Sequence, residues 1–243
     1  MITVLTVNHN TLDFLTLLVR SVRKFRSSVP TAIMVIDNYS TDGSREWLGR
    51  QPDVEAHLLD CNTGHGPGLD YGLSRVKTRF VLILDSDAHL LRSDWDVDLI
   101  KLYEADPRRR LIAAKGGVTK PVHPCFMFFE AQYFKSNQLS FLAREGHDVG
   151  RRLYYDVTEA GFDVFRIECE FDANGQKFYP GAFGTEYYID QRPTVFHMWY
   201  ATRMTTCKMG ESLDEWYSKE DYVKAKGSLF SMPLVQEILA HGD

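Results

Sequence analysis

Three of four short apolar runs in the first 90 residues are followed at once by a cluster of polar side chains, and this pattern constrains the fold more than any other feature. Ile2 to Val7, Ala32 to Ile36, Val54 to Leu59 and Phe80 to Leu84 read as buried strands, being short, β-branched and nearly continuous in apolar character. Between them the spacing turns helical. Phe14, Leu15, Leu18, Val22 and Phe25 fall on one face of a helix predicted over residues 12–25. A second helix is predicted after Ser40-Thr41-Asp42, whose short polar side chains cap free N–H groups. A third is predicted after a Gly64 to Gly68 loop, with Leu69, Leu73 and Val76 turned inward. This alternation implies an α/β fold, a mainly parallel sheet flanked by helices. In such sheets ligands gather beyond the C-terminal ends of the strands. On that rim Val7 leads into Asn8-His9-Asn10, Ile36 into Asp37-Asn38, and Leu84 into Asp85-Ser86-Asp87.

The second half is less regular. Val122 to Phe129 and Phe162 to Ile167 read as strands, and Val149 to Ala160 as a helix closed by Gly161. The tail from Glu211 reads as helical, with Trp216, Tyr217, Tyr222, Leu229 and Leu234 available to pack. At 243 residues, 44% hydrophobic and 25% charged, the chain suits one domain, 1–243, with a buried core. A net charge of -5 argues against a protein that coats nucleic acid. Arg108-Arg109-Arg110 and Arg151-Arg152 read as solvated helix ends. Cys61, Cys125, Cys169 and Cys207 form no CxxC pair, which points to reduced thiols and a cytoplasmic setting. The N-terminal residues carry no basic leader, and no apolar run nears the roughly 20 residues that span a bilayer. No transmembrane segment is expected, and any work at a membrane would be peripheral.

Asp85-Ser86-Asp87 is the sharpest chemical signal. Two carboxylates one residue apart, just past a buried strand, cannot both lose water without a counter-charge. A hard divalent cation, Mn²⁺ or Mg²⁺, supplies one and bridges to phosphate oxygens; a solvated turn is the alternative for the triplet taken alone. Asp37-Asn38 could accept hydrogen bonds from a nucleobase or ribose, or form a helix-capping turn. The run Asn62 to Gly68 would let backbone N–H groups approach a diphosphate closely. It matches neither a GxGxxG fingerprint nor a P-loop.

Taken in order, these segments resemble the family 2 glycosyltransferases of the GT-A (Rossmann-like) fold, nearest the rhamnosyltransferase-like branch. The likeness runs through Val7-Asn8-His9-Asn10, then Ile36-Asp37-Asn38-Tyr39-Ser40-Thr41-Asp42-Gly43-Ser44, then Asn62-Thr63-Gly64-His65-Gly66-Pro67-Gly68-Leu69-Asp70-Tyr71-Gly72, and the strand and DxD from Val81 to Asp87. Two positions depart from the family pattern: His65 where Phe is common, and Asp70 where Asn is usual. The resemblance implies a donor site drawing on Val7, Asn8, Asn10, Asp37, Asn38, Asn62, Gly64, Gly68, Asp70, Asp85 and Ser86. Asp37 would meet the nucleobase, Asp85 the ribose or diphosphate, and Asp87, with Asp85, the metal. Asp148 falls on the catalytic-base position, with His147 departing from the family's acidic pair; an N-capping aspartate is the structural alternative. His197 matches a late histidine that serves as a metal ligand or meets the diphosphate.

The resemblance divides the chain into a nucleotide-sugar half (1–90), an acceptor-side catalytic half (91–205) and a helical tail (206–243). It implies inverting, metal-dependent transfer from a nucleoside-diphosphate sugar, UDP- or dTDP-linked, to a hydroxyl acceptor. A glycan, a lipid-linked saccharide, a protein and a modified nucleic-acid base all remain open as that acceptor. The rivals are a nucleotidyltransferase acting on a sugar phosphate, and a domain that binds nucleotide sugar without turnover.

Overall fold

The computed structural model describes residues 1–116, 121–143, 149–170, 179, 182–199, 201, 212–214 and 217–241. In chain order the first half holds β1 (Ile2–Asn8), α1 (Leu12–Lys24), β2 (Thr31–Asp37), α2 (Ser44–Leu48), β3 (Val54–Leu58), α3 (His65–Arg75), β4 (Phe80–Leu84) and β5 (Ala88–Leu90). Next come α4 (Trp95–Glu104), β6 (Arg109–Lys115), β7 (Val122–Glu130), α5 (Ala131–Ser136), α6 (Val149–Glu159) and β8 (Asp163–Glu170). The described residues close with β9 (Thr185–Ile189), β10 (Arg192–His197), a small β11–β12 pair (Ser212–Asp214, Tyr217–Ser218), α7 (Lys219–Phe230) and α8 (Pro233–Leu239).

Ten strands form one sheet in the order β3-β2-β1-β4-β7-β6-β8-β9-β10-β5. The expected parallel pairing holds for β3, β2, β1 and β4. Beyond β4 the pairs are antiparallel except β6 with β8, so the sheet is mixed. Strands β1, β4 and β7 are apolar on both faces because each face meets a separate core. Phe80, Leu82 and Leu84 of β4 enter one core with α1, α4 and the C-terminal helices, while Val81 and Ile83 enter the other with Leu69 and Leu73 of α3. That two-sided burial is why their sequences read as runs rather than alternations.

Several expectations need correction. The glycine-rich stretch is not a loop: the helix begins at His65, so Gly66 and Gly68 lie inside α3 and only Gly64, at φ +91°, precedes it. Close packing explains this, since Gly68 faces Val7 and Gly72 faces Leu5 and Ile36 with no room for larger side chains. Arg109 and Arg110 start a strand rather than end a helix, and their guanidinium groups lie over Phe165 and over Tyr133 and Phe162. The tail becomes helical only from Lys219, after β11 and β12; a Ser218 capping box fixes that start. Tyr222 and Leu229 are buried as expected, whereas Trp216 lies outside the described residues. β5, α4, β6, α5 and β9 carried too few residues, or too mixed a pattern, to be read from the sequence.

Candidate active site

The parallel register brings the polar strand ends together. Asn8 and Asp37 are direct neighbours across β1 and β2, and β4 delivers Asp85 one strand further on. Asn8 is fully buried and donates from Nδ2 to Asp37 Oδ2 (3.0 Å) and to Ser40 Oγ (3.0 Å). Asp37 Oδ1 accepts from the Ser40 N–H at 3.0 Å and lies 3.8 Å from Arg45. Thr11 Oγ1 ties Asn8 Oδ1 (2.7 Å) to Ser86 Oγ (2.9 Å), linking the first motif to the DxD. Asn38 donates to Asn62 Oδ1 (2.9 Å) and to the Gly64 carbonyl (3.2 Å), and accepts from the Thr63 N–H (2.8 Å). Asp37 and Asn38 are buried and organise the turns around them, as the turn alternative for this pair expects.

The other donor-site candidates fall into three groups. Asn10, at φ +55°, holds the Thr41 N–H with Oδ1 at 2.7 Å, and Val7 packs on Gly68. Asn62 Oδ1 also accepts from the Gly64 N–H at 2.9 Å. Asp70 faces the second half: it accepts from Ser140 Oγ (2.6 Å) and the Phe141 N–H (2.8 Å), pinning the segment after α5.

At the rim, Asp85, Asp87 and His197 each present a ligand atom within 4.8 Å of the others. His197 Nε2 lies 3.2 Å from Asp87 Oδ1 and 3.7 Å from Asp85 Oδ2. The antiparallel β10 brings this histidine from 110 positions away, opposite Ala88 of β5. The turn between is tight: the Ala88 N–H meets the Asp85 carbonyl (2.9 Å), the Met198 N–H meets the Asp87 carbonyl (3.1 Å), and the Ala201 N–H meets Asp87 Oδ2 (3.2 Å). His65, the first residue of α3, points Nε2 at Asp85 Oδ1 across 3.4 Å, and neither atom has a hydrogen bond among the described residues. A buried carboxylate oxygen without a donor, two carboxylates and one imidazole within ligand distance form a donor set that fits Mn²⁺ or Mg²⁺.

Sequence reasoning missed a second cluster on the same rim. His123 and Cys125, on β7, converge with His197. The thiol of Cys125 donates to Tyr187 Oη at 3.3 Å. Burial alone would lower the pKa of His197, but Cys125 and Asp87 outweigh it and hold it well above its ordinary value. Burial likewise opposes the charge on His123, and Cys125 turns that shift upward. Burial raises the Cys125 thiol, yet His197 and His123 bring it down to about 7. A His-Pro-Cys triplet interrupting an apolar strand was the available signal. Beside the cluster lies a cavity of about 320 Å³ lined by Lys115, Gly116, His123, Cys169, Thr185, Tyr187, His197 and Trp199. Trp199 also meets Phe183 edge-on at 5.4 Å. Asp148 and His147 lie outside the described residues, as do Tyr200 and Cys207.

A mixed sheet flanked by helices is the fold of the GT-A glycosyltransferases that this chain resembles in structure. The profile of Glycosyl transferase family 2 matches residues 3–147, and the chain belongs to that family. No curated protein matches it in sequence. Among solved structures it is similar to the mannosyltransferase PcManGT from Pyrobaculum calidifontis in complex with GDP-Man and Mn²⁺. That likeness has 18% identity and a TM-score of 0.56, over 68% of this chain and 54% of that one. The chain therefore spans about half the length of the mannosyltransferase. It is also similar to S. aureus TarS 1–349, at 14% identity and a TM-score of 0.53 over 99% of this chain and 69% of that one. TarS 1–349 in complex with UDP-GlcNAc gives 15% identity and the same TM-score of 0.53, over 98% and 70%. Among the described residues no helix is long and apolar enough to cross a membrane.

Proposed function

We propose that this chain transfers a sugar from a nucleoside-diphosphate sugar to a hydroxyl acceptor, with inversion at the anomeric carbon and dependence on a divalent metal. One observation carries the reading: Asp85, Asp87 and His197 converge at the N-terminus of α3. Asp85, Asp87 and His197 would hold Mn²⁺ or Mg²⁺, which supplies positive charge to the departing diphosphate when bound. The free N–H groups and positive dipole end of α3 favour the same phosphates. The Asn8–Asp37–Ser40–Thr11–Ser86 network keeps the rim rigid, so its groups need not reorganise when a donor arrives. The family likeness favours a UDP- or dTDP-sugar, and the complexes of similar structures add GDP-mannose and UDP-GlcNAc to the candidates.

Asp148 is the residue we assign as general base, accepting the proton of the attacking hydroxyl. The family resemblance supports this, since Asp148 falls on the family's catalytic-base position. The acceptor would enter through the 320 Å³ cavity, where Tyr187 and Trp199 offer aromatic surface and Lys115 a cation. We assign residues 1–90 to the donor, 91–205 to the acceptor and chemistry, and 206–243 to a tail, in a cytoplasmic protein.

The test is nucleoside-diphosphate release from a panel of UDP-, dTDP- and GDP-sugars, with Mn²⁺ and with chelator. Metal-dependent release from one donor supports the reading and names the sugar. Binding without release, even with a range of saccharide acceptors, would favour a domain that has lost turnover. Asp148→Asn should abolish release while sparing donor affinity; unchanged turnover would remove Asp148 from the mechanism.

A further inference from the structure

The second cluster has different chemistry from the first. Asp85 and Asp87 offer hard oxygen donors, whereas His123 and Cys125 offer imidazole and sulfur, and His197 belongs to both sets. One ligand atom from each of His123, Cys125 and His197 lies within 4.8 Å of the other two. A tetrahedral Zn²⁺ with bonds of about 2.0–2.3 Å sets its ligands roughly 3.5 Å apart. Side-chain shifts of about 1 Å would therefore close the site. The His123 and His197 rings already face each other, with centroids 5.6 Å apart and a 40° tilt. His197 Nδ1 is buried and has no hydrogen bond among the described residues. Cys125 is fully buried with Tyr187 Oη as its partner, an arrangement a plain buried thiol would also adopt. A plain thiol does not, however, account for two imidazoles converging on it. The cavity lined by His123 and His197 gives an ion a route in and leaves room for a fourth ligand.

We propose that His123, Cys125 and His197 form a Zn²⁺ site, separate from the carboxylate site and sharing His197 with it. Sulfur and imidazole donors select Zn²⁺ over Mg²⁺ and Mn²⁺, which favour oxygen. The site rests on geometry and donor chemistry alone. One consequence rests also on the proposed transfer reaction: Zn²⁺ in this site draws His197 away from Asp85 and Asp87, so the ion inhibits an enzyme running on Mn²⁺.

The experiment uses the full chain and Co²⁺ as a spectroscopic stand-in for Zn²⁺, with no donor sugar present. The wild type should develop a thiolate-to-Co²⁺ charge-transfer band in the near ultraviolet, and Zn²⁺ should bleach it while equal Mg²⁺, which favours oxygen ligands, does not. Cys125→Ser should lose the band, and Asp87→Asn should keep it. His123→Gln should weaken Co²⁺ binding by at least about 10-fold, the loss common even for residues that merely orient a metal ligand. Absence of the band in folded wild type, its persistence in Cys125→Ser, or bleaching by Mg²⁺ would overturn the proposal. Should Cys125→Ser fail to fold, His123→Gln decides, and unchanged affinity there is equally fatal. None of these readouts involves turnover, so their failure leaves the sugar-transfer reading standing.

Discussion

The glycines of α3 separate two explanations for the most family-like stretch of the chain. If they are there so that a diphosphate can approach the backbone, Gly66→Ala should weaken donor binding and leave stability alone. The structure argues for packing. A Cβ on Gly66 would stand 2.2 Å from the Phe141 carbonyl oxygen and 3.0 Å from its carbon, where ordinary contact begins at 3.4 Å. The obstacle is backbone held by Asp70, so it cannot swing aside as a side-chain tip would. Alanine gains up to about 1 kcal/mol of helix propensity over glycine, while overpacking costs about 1–3 kcal/mol. The net expectation is a loss of up to about 2 kcal/mol. Gly72→Ala meets Leu5 Cδ1 at 2.5 Å and Ile36 Cγ1 at 3.1 Å, side-chain atoms rather than backbone, so a smaller loss follows. Gly227 in α7 meets nothing within 4 Å, and Gly227→Ala should stabilise by up to about 1 kcal/mol. Urea unfolding at constant slope ranks the three, and donor titration of the folded variants completes the test. Gly66→Ala as stable as wild type but unable to bind donor would refute the packing argument.

Other perturbations reach the remaining parts of the structure. Asp42 accepts from the Leu12 N–H (2.8 Å) and the Ser44 N–H (3.0 Å), the first residues of α1 and α2, so one carboxylate serves two helix starts. Asp42→Ala should cost about 1–2 kcal/mol; a thermal midpoint equal to wild type would mean that water replaces it. His89 is buried against Tyr179 Oη at 2.9 Å, and burial lowers its pKa to about 3. Below pH about 6.5 the unfolded chain binds a proton there that the folded chain refuses, so stability falls as pH drops toward 3. At pH 5 the loss is about 2 kcal/mol relative to pH 7, and His89→Gln should flatten that part of the profile. An equal loss in the variant would place the titration elsewhere. Asp87→Asn removes the carboxylate nearest His197 and should weaken Mn²⁺ at least about 10-fold by calorimetry; unchanged affinity would take Asp87 out of the metal set.

The first four strands, α1 and the DxD rim were legible because their signals are local. β1 and β4 lie inside the sheet with cores on both faces, so their sequences are nearly unbroken apolar runs, and parallel strands put Asn8, Asp37 and Asp85 on one edge by topology alone. His197 was legible only through family likeness, since nothing near it in sequence says that β10 runs back to the DxD turn. The meeting of His123, Cys125 and His197 was not legible at all. Neither β7 nor β10 contains the site; the antiparallel order of the sheet creates it by bringing the start of one strand to the end of another. The bonds of Asp70 to Ser140 and Phe141 likewise come from tertiary packing. Short-range hydrophobic periodicity fixes which segments become strands and which of their ends are polar. Pairing between strands far apart in sequence decides which polar groups meet, because each contact depends on registers that no single segment encodes.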